Sequence, residues 1–289
     1  MKIKLLLLSI TALFILAMSS DLKPYNIFNN KGKVQKFDKV INKIADADIV
    51  FFGELHNNAI SHWLELEVAK ALYAKHGDSF VMGAEMYEAD QQLIIDEYLS
   101  GAVKYKYFKD QARLWPNDET DYAPILRFSK ENNIPMIATN VPRRYAAIVN
   151  KGSLTALDSL SDEAKRYIAP LPIHYFEDAD CYTGMIAAMG GHKSARMTNI
   201  VKAQALKDAT MAHFILANWE QGKHFYHFNG SYHSDNHESI ILYLKKANPE
   251  LKIATITSVS QENIDTINDK IQMSADFIIA IDEDMTNTY

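Results

Sequence analysis

Six short hydrophobic runs, each bounded by turn-forming or polar residues, recur along the chain. They occupy residues 48–53, 80–84, 134–139, 224–229, 252–257 and 277–281. The runs are continuous rather than alternating and are rich in β-branched and aromatic residues, which is typical of strands buried on both faces of a parallel sheet. The pattern therefore predicts six strands in one mostly parallel sheet.

Helical periodicity separates several of these runs. After the first run, spacings of three and four place on one helix face the residues Ile60, Leu64, Val68, Ala71 and Leu72. Residues 203–219 and 238–246 have similar helical patterns. Because strands and helices alternate, the sequence predicts an α/β fold in which helices flank the sheet and the crossovers are right-handed.

Two segments are longer than a simple crossover requires. They span about 88–125 and 141–200, and their patterns are mostly helical with aromatic-rich turns. Long insertions beside strand ends commonly form lids over a ligand site, and they also occur as purely structural additions. We predict an inserted helical cap subdomain on a single α/β domain that spans residues 20–289.

The first residues have the features of a signal peptide. Two lysines precede a hydrophobic run at 5–18, and the small residues Ala17 and Ser19 fit a cleavage site. The run of about 14 residues is shorter than the roughly 20 that a membrane-spanning helix needs. We therefore predict removal of residues 1–19 and export of the mature chain. The sequence has no cysteine at the cleavage site to support a lipid anchor.

The composition is that of a globular protein with a slightly acidic balance. The 289 residues include 30 lysines and arginines against 36 aspartates and glutamates, and 48% are hydrophobic. Because no dense run of lysine and arginine occurs, the chain lacks the basic face that a nucleic-acid backbone requires, and we exclude nucleic acid as a partner. Cys181 is the sole cysteine, so no disulfide is expected within the chain.

Polar side chains follow the ends of four predicted strands. These residues are Glu54, His56, Glu85, Asn140 and His233. In an open parallel sheet the carboxyl ends of the strands lie at one edge, and ligands bind in the crevice outside that edge. We therefore expect these side chains to converge in one pocket.

Four of these residues, Glu54, His56, Glu85 and His233, suit three different roles. Carboxylate and imidazole groups together bind divalent ions such as Zn²⁺ or Mn²⁺, and the ion can activate water. Without metal, a glutamate–histidine pair can act as a general base while the second carboxylate orients it or serves as the acid. Both of these roles predict a hydrolase. The third role is structural: the carboxylates stabilise helix N-termini and the histidines form hydrogen bonds with buried carbonyls. Such a buried polar network would support the helical cap subdomain.

A Gly-x-x-His element occurs twice, at Gly53–His56 and at Gly230–His233, with Gly83-Ala84-Glu85 between them. These motifs resemble those of the ChaN family of iron-regulated haem-binding proteins, whose wider superfamily includes Tiki-type proteases and erythromycin esterases. The resemblance extends over about 40–260, and it also includes the segments 140–145, 204–212 and 229–235.

The resemblance implies an exported protein, periplasmic or associated with the outer membrane, that acts in haem or iron acquisition. It further implies a tyrosine on the haem iron, a homodimer, and an outer-membrane haem-uptake receptor as a partner. The family is commonly lipid-anchored, and this chain departs from that pattern with serines at 19 and 20. A haem-binding protein that is not an enzyme is thus the first hypothesis, and a hydrolase at the strand-end pocket is the alternative.

The resemblance leaves open which tyrosine binds the iron, so we choose candidates by their chemistry. Segment 174–192 combines phenol, imidazole and soft apolar side chains, which suits a flat apolar macrocycle with a polar iron. We expect Tyr175 or Tyr182 to bind the iron, with His174 and His192 as axial or propionate partners.

Further residues are expected to support these sites. His62 lies on the first predicted helix, close to the strand-end pocket, where it can contact the pocket residues from behind. Asp208 is expected to hold an arginine or a histidine. Arg143 and Arg144 suit pairing with a carboxylate or a propionate, and they equally suit an exposed helix start.

Overall fold

The computed structural model describes residues 22–191, 194–268 and 271–289. In these ranges eight strands form one sheet: β1 (Tyr25–Asn29), β2 (Val34–Gln35), β3 (Ile49–Glu54), β4 (Phe80–Glu88), β5 (Met136–Asn140), β6 (His224–Gly230), β7 (Ile253–Gln261) and β8 (Phe277–Asp282). Across the sheet the strands follow the order β2-β1-β8-β7-β3-β6-β4-β5. Strand β3 is therefore central, with β6 and β7 as its neighbours.

The six strands from β3 to β8 pair in parallel. They are the six predicted strands, and each begins within two residues of its predicted start. The predicted α/β class with a mostly parallel sheet is thereby confirmed. Strand β1 runs antiparallel to both β8 and β2, and neither β1 nor β2 is predicted. Asn26 and Asn29 weaken the strand pattern of β1, because asparagine is depleted in strands.

Ten α-helices are described, in chain order α1 (Phe37–Ile44), α2 (Ala59–His76), α3 (Gln92–Leu99), α4 (Tyr105–Gln111), α5 (Ala123–Glu131), α6 (Arg143–Gly152), α7 (Asp162–Lys165), α8 (Asp180–Ala188), α9 (Ala195–Asn218) and α10 (Ile240–Ala247). The three predicted helical segments overlap α2, α9 and α10, although 203–219 extends one residue past the end of α9 and 238–246 begins two residues before α10. Helix α2 begins where the side chain of Asn58 accepts a hydrogen bond from the backbone N–H of Ser61, a common N-cap arrangement.

Hydrophobic side chains cover both faces of the sheet. On β3, Phe52 packs in a core with Leu64 of α2 and with Phe228 of β6. The adjacent Phe51 points to the opposite face, where it packs in a second core with Met211 of α9. Successive strand residues face opposite sides of the sheet, and a hydrophobic core covers each side. The strands therefore consist of continuous hydrophobic runs in the sequence.

The two long segments that predict a cap contain several helices. The first, 88–125, holds α3 and α4, and the second, 141–200, holds α6, α7, α8 and the start of α9. Val149 of α6 packs against Leu206 of α9 in a small separate core. A lid function for these helices stays a prediction.

No helix in the described part of the chain is both long enough and apolar enough to cross a membrane. The predicted signal peptide at 1–19 lies outside the described residues.

Candidate functional site

The predicted strand-end residues converge on one cleft at the carboxyl edge of the sheet. Glu54 ends β3, Glu85 lies where the pairing of β4 with β5 is interrupted, and Asn140 ends β5. His56 and His233 lie just beyond β3 and β6. All five residues line a cleft of about 760 Å³. The topology produces this convergence, since the carboxyl ends of parallel strands meet at one edge.

The two Gly-x-x-His motifs interlock at the base of the cleft. A Cβ on Gly53 would lie 2.8 Å from the Cα of Ser231, and a Cβ on Gly230 would lie 2.6 Å from Nε2 of His56. Each glycine thus leaves room for a residue of the other motif. This close approach explains why the element is repeated, because a side chain at either position would push the two motifs apart.

Glu54 holds His56 at the edge of the cleft. One oxygen of Glu54, Oε1, lies 2.7 Å from Nδ1 of His56 and accepts a hydrogen bond of 2.7 Å from the hydroxyl of Tyr122. Burial opposes the charged form of His56, but the hydrogen bond from Glu54 and the charge of Glu85 raise its pKa. Because Nδ1 faces Glu54, Nε2 is the nitrogen that faces the cleft near Gly230.

His233 lies between two buried carboxylates. Its Nε2 is 3.2 Å from Oε1 of Glu85, and its Nδ1 is 2.5 Å from Oδ1 of Asp208. Burial alone would lower the pKa of His233, but Glu85 and Asp208 raise it to about 10. Burial would likewise raise the pKa of Glu85, but His233 in particular holds it well below its usual range. His233 is therefore an imidazolium that lies between the carboxylates of Glu85 and Asp208.

Asp208 connects His233 to a cluster of tyrosines. Of its two expected kinds of partner, the structure gives it a histidine. Its second oxygen, Oδ2, accepts a hydrogen bond of 2.8 Å from the hydroxyl of Tyr182, which is fully buried. Tyr243 lies 3.4 Å from the same hydroxyl and donates to the backbone oxygen of His174. Burial, together with the charge of Asp208, raises the pKa of Tyr182 above its usual range.

The predicted haem ligands occupy different environments. Tyr182 uses its hydroxyl inside the protein. Tyr175 is half-buried, its ring centroid lies 5.6 Å from that of Tyr182, and its hydroxyl forms no hydrogen bond with the residues that the structure describes. His174 is exposed beside the ring of Phe176. His192 lies outside the described residues. None of the three described candidates lines the cleft.

Tyr232 is a phenol at the cleft that the sequence does not single out. It lines the cleft, is 43% exposed, and donates a hydrogen bond to the backbone oxygen of Cys181. Partial burial raises its pKa to about 12. Its position inside the second Gly-x-x-His motif is the signal that could have identified it.

Apolar and cationic side chains complete the cleft. The apolar part of its wall includes Met86, Trp115, Val141, Met185 and Ile200. Arg143 and Lys207 also line it, whereas Arg144 pairs with Asp90 at 2.5 Å. The volume lies within the range of about 300–1,000 Å³ that is typical of small-molecule and cofactor sites.

His62 contacts Glu54 from behind the cleft. Nδ1 of His62 lies 3.5 Å from the second oxygen of Glu54, Oε2, and 4.0 Å from Oε2 of Glu65. Burial, followed by the charge of Glu54, raises the pKa of Glu65 well above its usual value. The sequence does not single out Glu65, because one glutamate in a helical pattern is usually solvated; the His-x-x-Glu spacing, which places both residues on one helix face, is the signal.

The four residues predicted to bind a metal form two histidine–carboxylate pairs. One pair joins His56 to Glu54, and the other joins His233 to Glu85. Among the described residues, the one group of at least three metal-ligating atoms that all lie within 4.8 Å of one another is that of Glu54, His62 and Glu65. Metal binding by the predicted four stays a prediction.

Solved structures share this fold. ChaN of Campylobacter jejuni, reported with cofacial heme binding, matches with a TM-score of 0.69 and 17% identity, and the match covers 89% of this chain and 96% of that chain. A Bacillus cereus protein matches with a TM-score of 0.51 and 12% identity, covering 84% and 90% of the two chains. A succinoglycan biosynthesis protein matches with a TM-score of 0.51 and 12% identity, covering 90% and 94%. No curated protein matches the sequence.

A family model described as haem-binding uptake, Tiki superfamily, ChaN matches residues 40–244. The matched range contains both Gly-x-x-His motifs and the cleft residues Glu85 and Asn140. The match therefore agrees with the resemblance found from these motifs. The chain belongs to the haem-binding uptake family of the Tiki superfamily, the family of ChaN.

Proposed function

We propose that the protein is an exported haem-binding protein that acts in haem or iron acquisition, with a tyrosine on the haem iron. Membership of the family supports haem binding. The observation that carries the proposal is a cleft of about 760 Å³ in which an apolar wall faces the exposed phenol of Tyr232. A phenolate is a hard anionic donor that suits ferric iron.

The side chains of the cleft fit the chemistry of haem. Met86, Trp115 and Met185 offer apolar surface to a flat macrocycle. Arg143 and Lys207 line the same cleft and suit the two propionates, since cationic side chains form charge-assisted hydrogen bonds with carboxylates. Bound haem would supply the iron centre, and the residues of the chain would bind, orient and partly shield it.

Tyr232 is the tyrosine that we place on the iron. It lines the cleft, and to bind the iron its hydroxyl would leave the backbone oxygen of Cys181, whereas Tyr175 has a hydroxyl with no partner among the described residues but does not line the cleft. Tyr182 would first have to leave Asp208 and the buried core. Tyr175 is therefore the second candidate, and His174, which is exposed next to it, suits a propionate or an axial position on that side.

Assembly and location belong to the same proposal. ChaN of Campylobacter jejuni has cofacial haems, and we propose that this chain likewise binds haem as a homodimer. We further propose a location in the periplasm or at the outer membrane and delivery of haem to or from an outer-membrane uptake receptor. Sedimentation of the protein with and without haem tests the dimer.

Titration of ferric haem into the purified chain, followed by absorption in the Soret region, tests the function. The wild type should give a saturable Soret shift, and Tyr232→Phe should weaken binding by roughly tenfold or more. Tyr107→Phe, which alters an exposed phenol on α4, is the matched control and should bind as the wild type does.

Each other result has a defined meaning. Weakening by Tyr175→Phe or Tyr182→Phe but not by Tyr232→Phe would move the ligand to that residue. If none of the three variants weakens binding, tyrosine ligation is wrong. If the wild type shows no saturable shift, haem binding itself is wrong.

A hydrolase at the strand-end cleft is the second candidate function. Its supporting observation is that Glu54 directs Nε2 of His56 towards the cleft, while Glu85 holds the imidazolium of His233 at the same cleft. A base and a charged donor on one cleft suit attack by water on a carbonyl. The same four residues remain the proposed ligands if the reaction uses a divalent ion.

Turnover of ester and peptide substrates by folded variants tests this second candidate. Glu54→Gln and His233→Ala should each abolish turnover, and Tyr107→Phe should leave it unchanged. Turnover that survives both cleft substitutions would exclude these residues as the catalytic set.

A further inference from the structure

Three buried side chains lie behind the cleft and point at one another. Glu54 comes from the end of β3, and His62 and Glu65 come from the same face of α2. Nδ1 of His62 lies 3.5 Å from Oε2 of Glu54 and 4.0 Å from Oε2 of Glu65. The three side chains are only 0% to 4% exposed. This geometry places one nitrogen and two carboxylates around a common point, away from solvent.

The atoms that face this point have no other partner. Oε2 of Glu54, Nδ1 of His62 and both carboxyl oxygens of Glu65 are buried, and none has a hydrogen-bond partner among the described residues outside these three. Oε1 of Glu54, by contrast, is satisfied by Tyr122 and His56. An unpartnered buried polar atom costs about 1–3 kcal/mol, and more when it is charged, so four of them at one point indicate that the three residues share a proton or a bound ion.

Contacts of the other ring nitrogen, Nε2, orient His62 so that Nδ1 faces Glu54 and Glu65. Nε2 lies 3.2 Å from the backbone oxygen of His56 and 3.4 Å from Oδ2 of Asp121. Both of these atoms are acceptors, so Nε2 donates towards them and Nδ1 is the nitrogen that faces the two glutamates. A histidine that donates one ring N–H to a carboxylate or a carbonyl is the usual arrangement of a metal-ligating imidazole.

The carboxyl groups around His62 have no lysine or arginine as an ion-pair partner in the part of the chain that the structure describes. These carboxyl groups belong to Glu54, Glu65 and Asp121. Nδ1 of His62 and the carboxyl oxygens of Glu54 and Glu65 repel one another unless a proton or a metal ion lies among them. A proton on Glu65 can bridge the two glutamates but leaves Nδ1 of His62 without a partner outside this group, whereas a metal ion can accept donors from all three residues.

We propose that Glu54, His62 and Glu65 bind one divalent transition-metal ion. One imidazole and two carboxylates form a mixed nitrogen and oxygen donor set that suits Mn²⁺, Fe²⁺ or Zn²⁺. The site differs from the predicted set of Glu54, His56, Glu85 and His233, because it shares only Glu54 and lies behind the cleft. Glu54 would bind the ion with Oε2 while its Oε1 holds His56, so the ion would stiffen the base of the cleft.

Binding of Mn²⁺ to haem-free protein tests the proposal independently of haem binding. Because the ligands are buried, the untagged chain is refolded from urea in the presence of Mn²⁺, freed of excess metal, and analysed by electron paramagnetic resonance and elemental analysis. We expect one ion per chain and a higher Tm than that of protein refolded with a chelator. Glu65→Gln should fold but lose both the ion and the rise in Tm.

Glu85→Gln is the matched control, since it removes a buried carboxylate from the cleft and leaves the three ligands intact. It should keep the ion. If the wild type refolds without binding metal at millimolar Mn²⁺ or Zn²⁺, or if Glu65→Gln binds as well as the wild type, the proposal is wrong. Loss of the ion in Glu85→Gln but not in Glu65→Gln would also overturn it and would place the metal in the cleft.

Discussion

Replacement of Asp208 by asparagine tests the charge balance around His233. The substitution keeps the size of the side chain but removes one of the two carboxylates that hold the imidazolium. The difference between the ordinary pKa of 6.5 and about 10 corresponds to roughly 5 kcal/mol, at about 1.36 kcal/mol per pKa unit. Glu85 makes the larger contribution and Asp208 the next, so Asp208→Asn should cost about 2–3 kcal/mol, close to the range for breaking a buried ion pair.

The pH dependence of this loss follows from the direction of the shift. Because the pKa of His233 is raised on folding, its stabilisation is complete below the unfolded value of 6.5 and disappears as the pH rises through about 10. The lowered pKa of Glu85 sets the acid limit, since that contribution is lost as the pH falls below its ordinary value of 4.5. The gap between wild type and Asp208→Asn should therefore be largest near pH 6 and should shrink towards pH 10.

Urea unfolding of both proteins at several pH values measures this gap directly. Tyr182→Phe is the control, because it removes the hydrogen bond that an uncharged phenol donates to the carboxylate of Asp208 and should cost a similar amount, about 1.5–3 kcal/mol, at every pH in this range. A gap for Asp208→Asn that stays constant from pH 6 to pH 10 would refute the charged state of His233, as would an NMR titration of His233 near pH 6.5.

Three further substitutions probe separate features by urea unfolding. Gly230→Ala places a Cβ against His56 and should cost about 1–3 kcal/mol, whereas Gly184→Ala, which meets open space in α8, should have no such cost. Burial lowers the pKa of His227 to about 4, so the free energy of unfolding of the wild type should fall by roughly 3 kcal/mol as the pH falls from 6.5 to 4. The free energy of unfolding of His227→Gln should fall clearly less, and an equal fall would contradict a neutral buried histidine. Phe228→Ala should cost about 3–5 kcal/mol, because its fully buried ring leaves a cavity, and a loss below about 1 kcal/mol would show that the core can close around it.

The strands could be predicted because their signal is local. A strand that is covered on both faces needs hydrophobic residues at nearly every position, so β3 to β8 appear as continuous runs in the sequence. Strand β1 lacks this signal because its asparagines interrupt the hydrophobic residues and are typical of turns. It pairs with β8, which lies late in the chain. Its position in the sheet depends on contacts with residues about 250 positions away, a separation that the ladder of Tyr25 with Ile281 illustrates.

The cleft could be predicted in outline for a related reason. Once the strands are parallel, topology alone brings Glu54, Glu85 and the end of β6 to one edge. Helix residues are different, because their position depends on how each helix rotates and packs. Asp208 therefore meets His233, and Glu65 meets His62, through packing that the sequence pattern does not specify.

The sequence by itself determined the fold class, the six parallel strands, the family resemblance and the set of strand-end residues, because hydrophobic period and short motifs are local properties. The tertiary structure decided which ionisable groups are partners and which phenols are accessible. The sequence alone does not distinguish Tyr182 from Tyr232, because both are tyrosines. In the structure Tyr182 is buried against Asp208, whereas Tyr232 is partly exposed at the cleft. Burial and charge arise from contacts between distant segments, and these contacts exist only after the chain has packed.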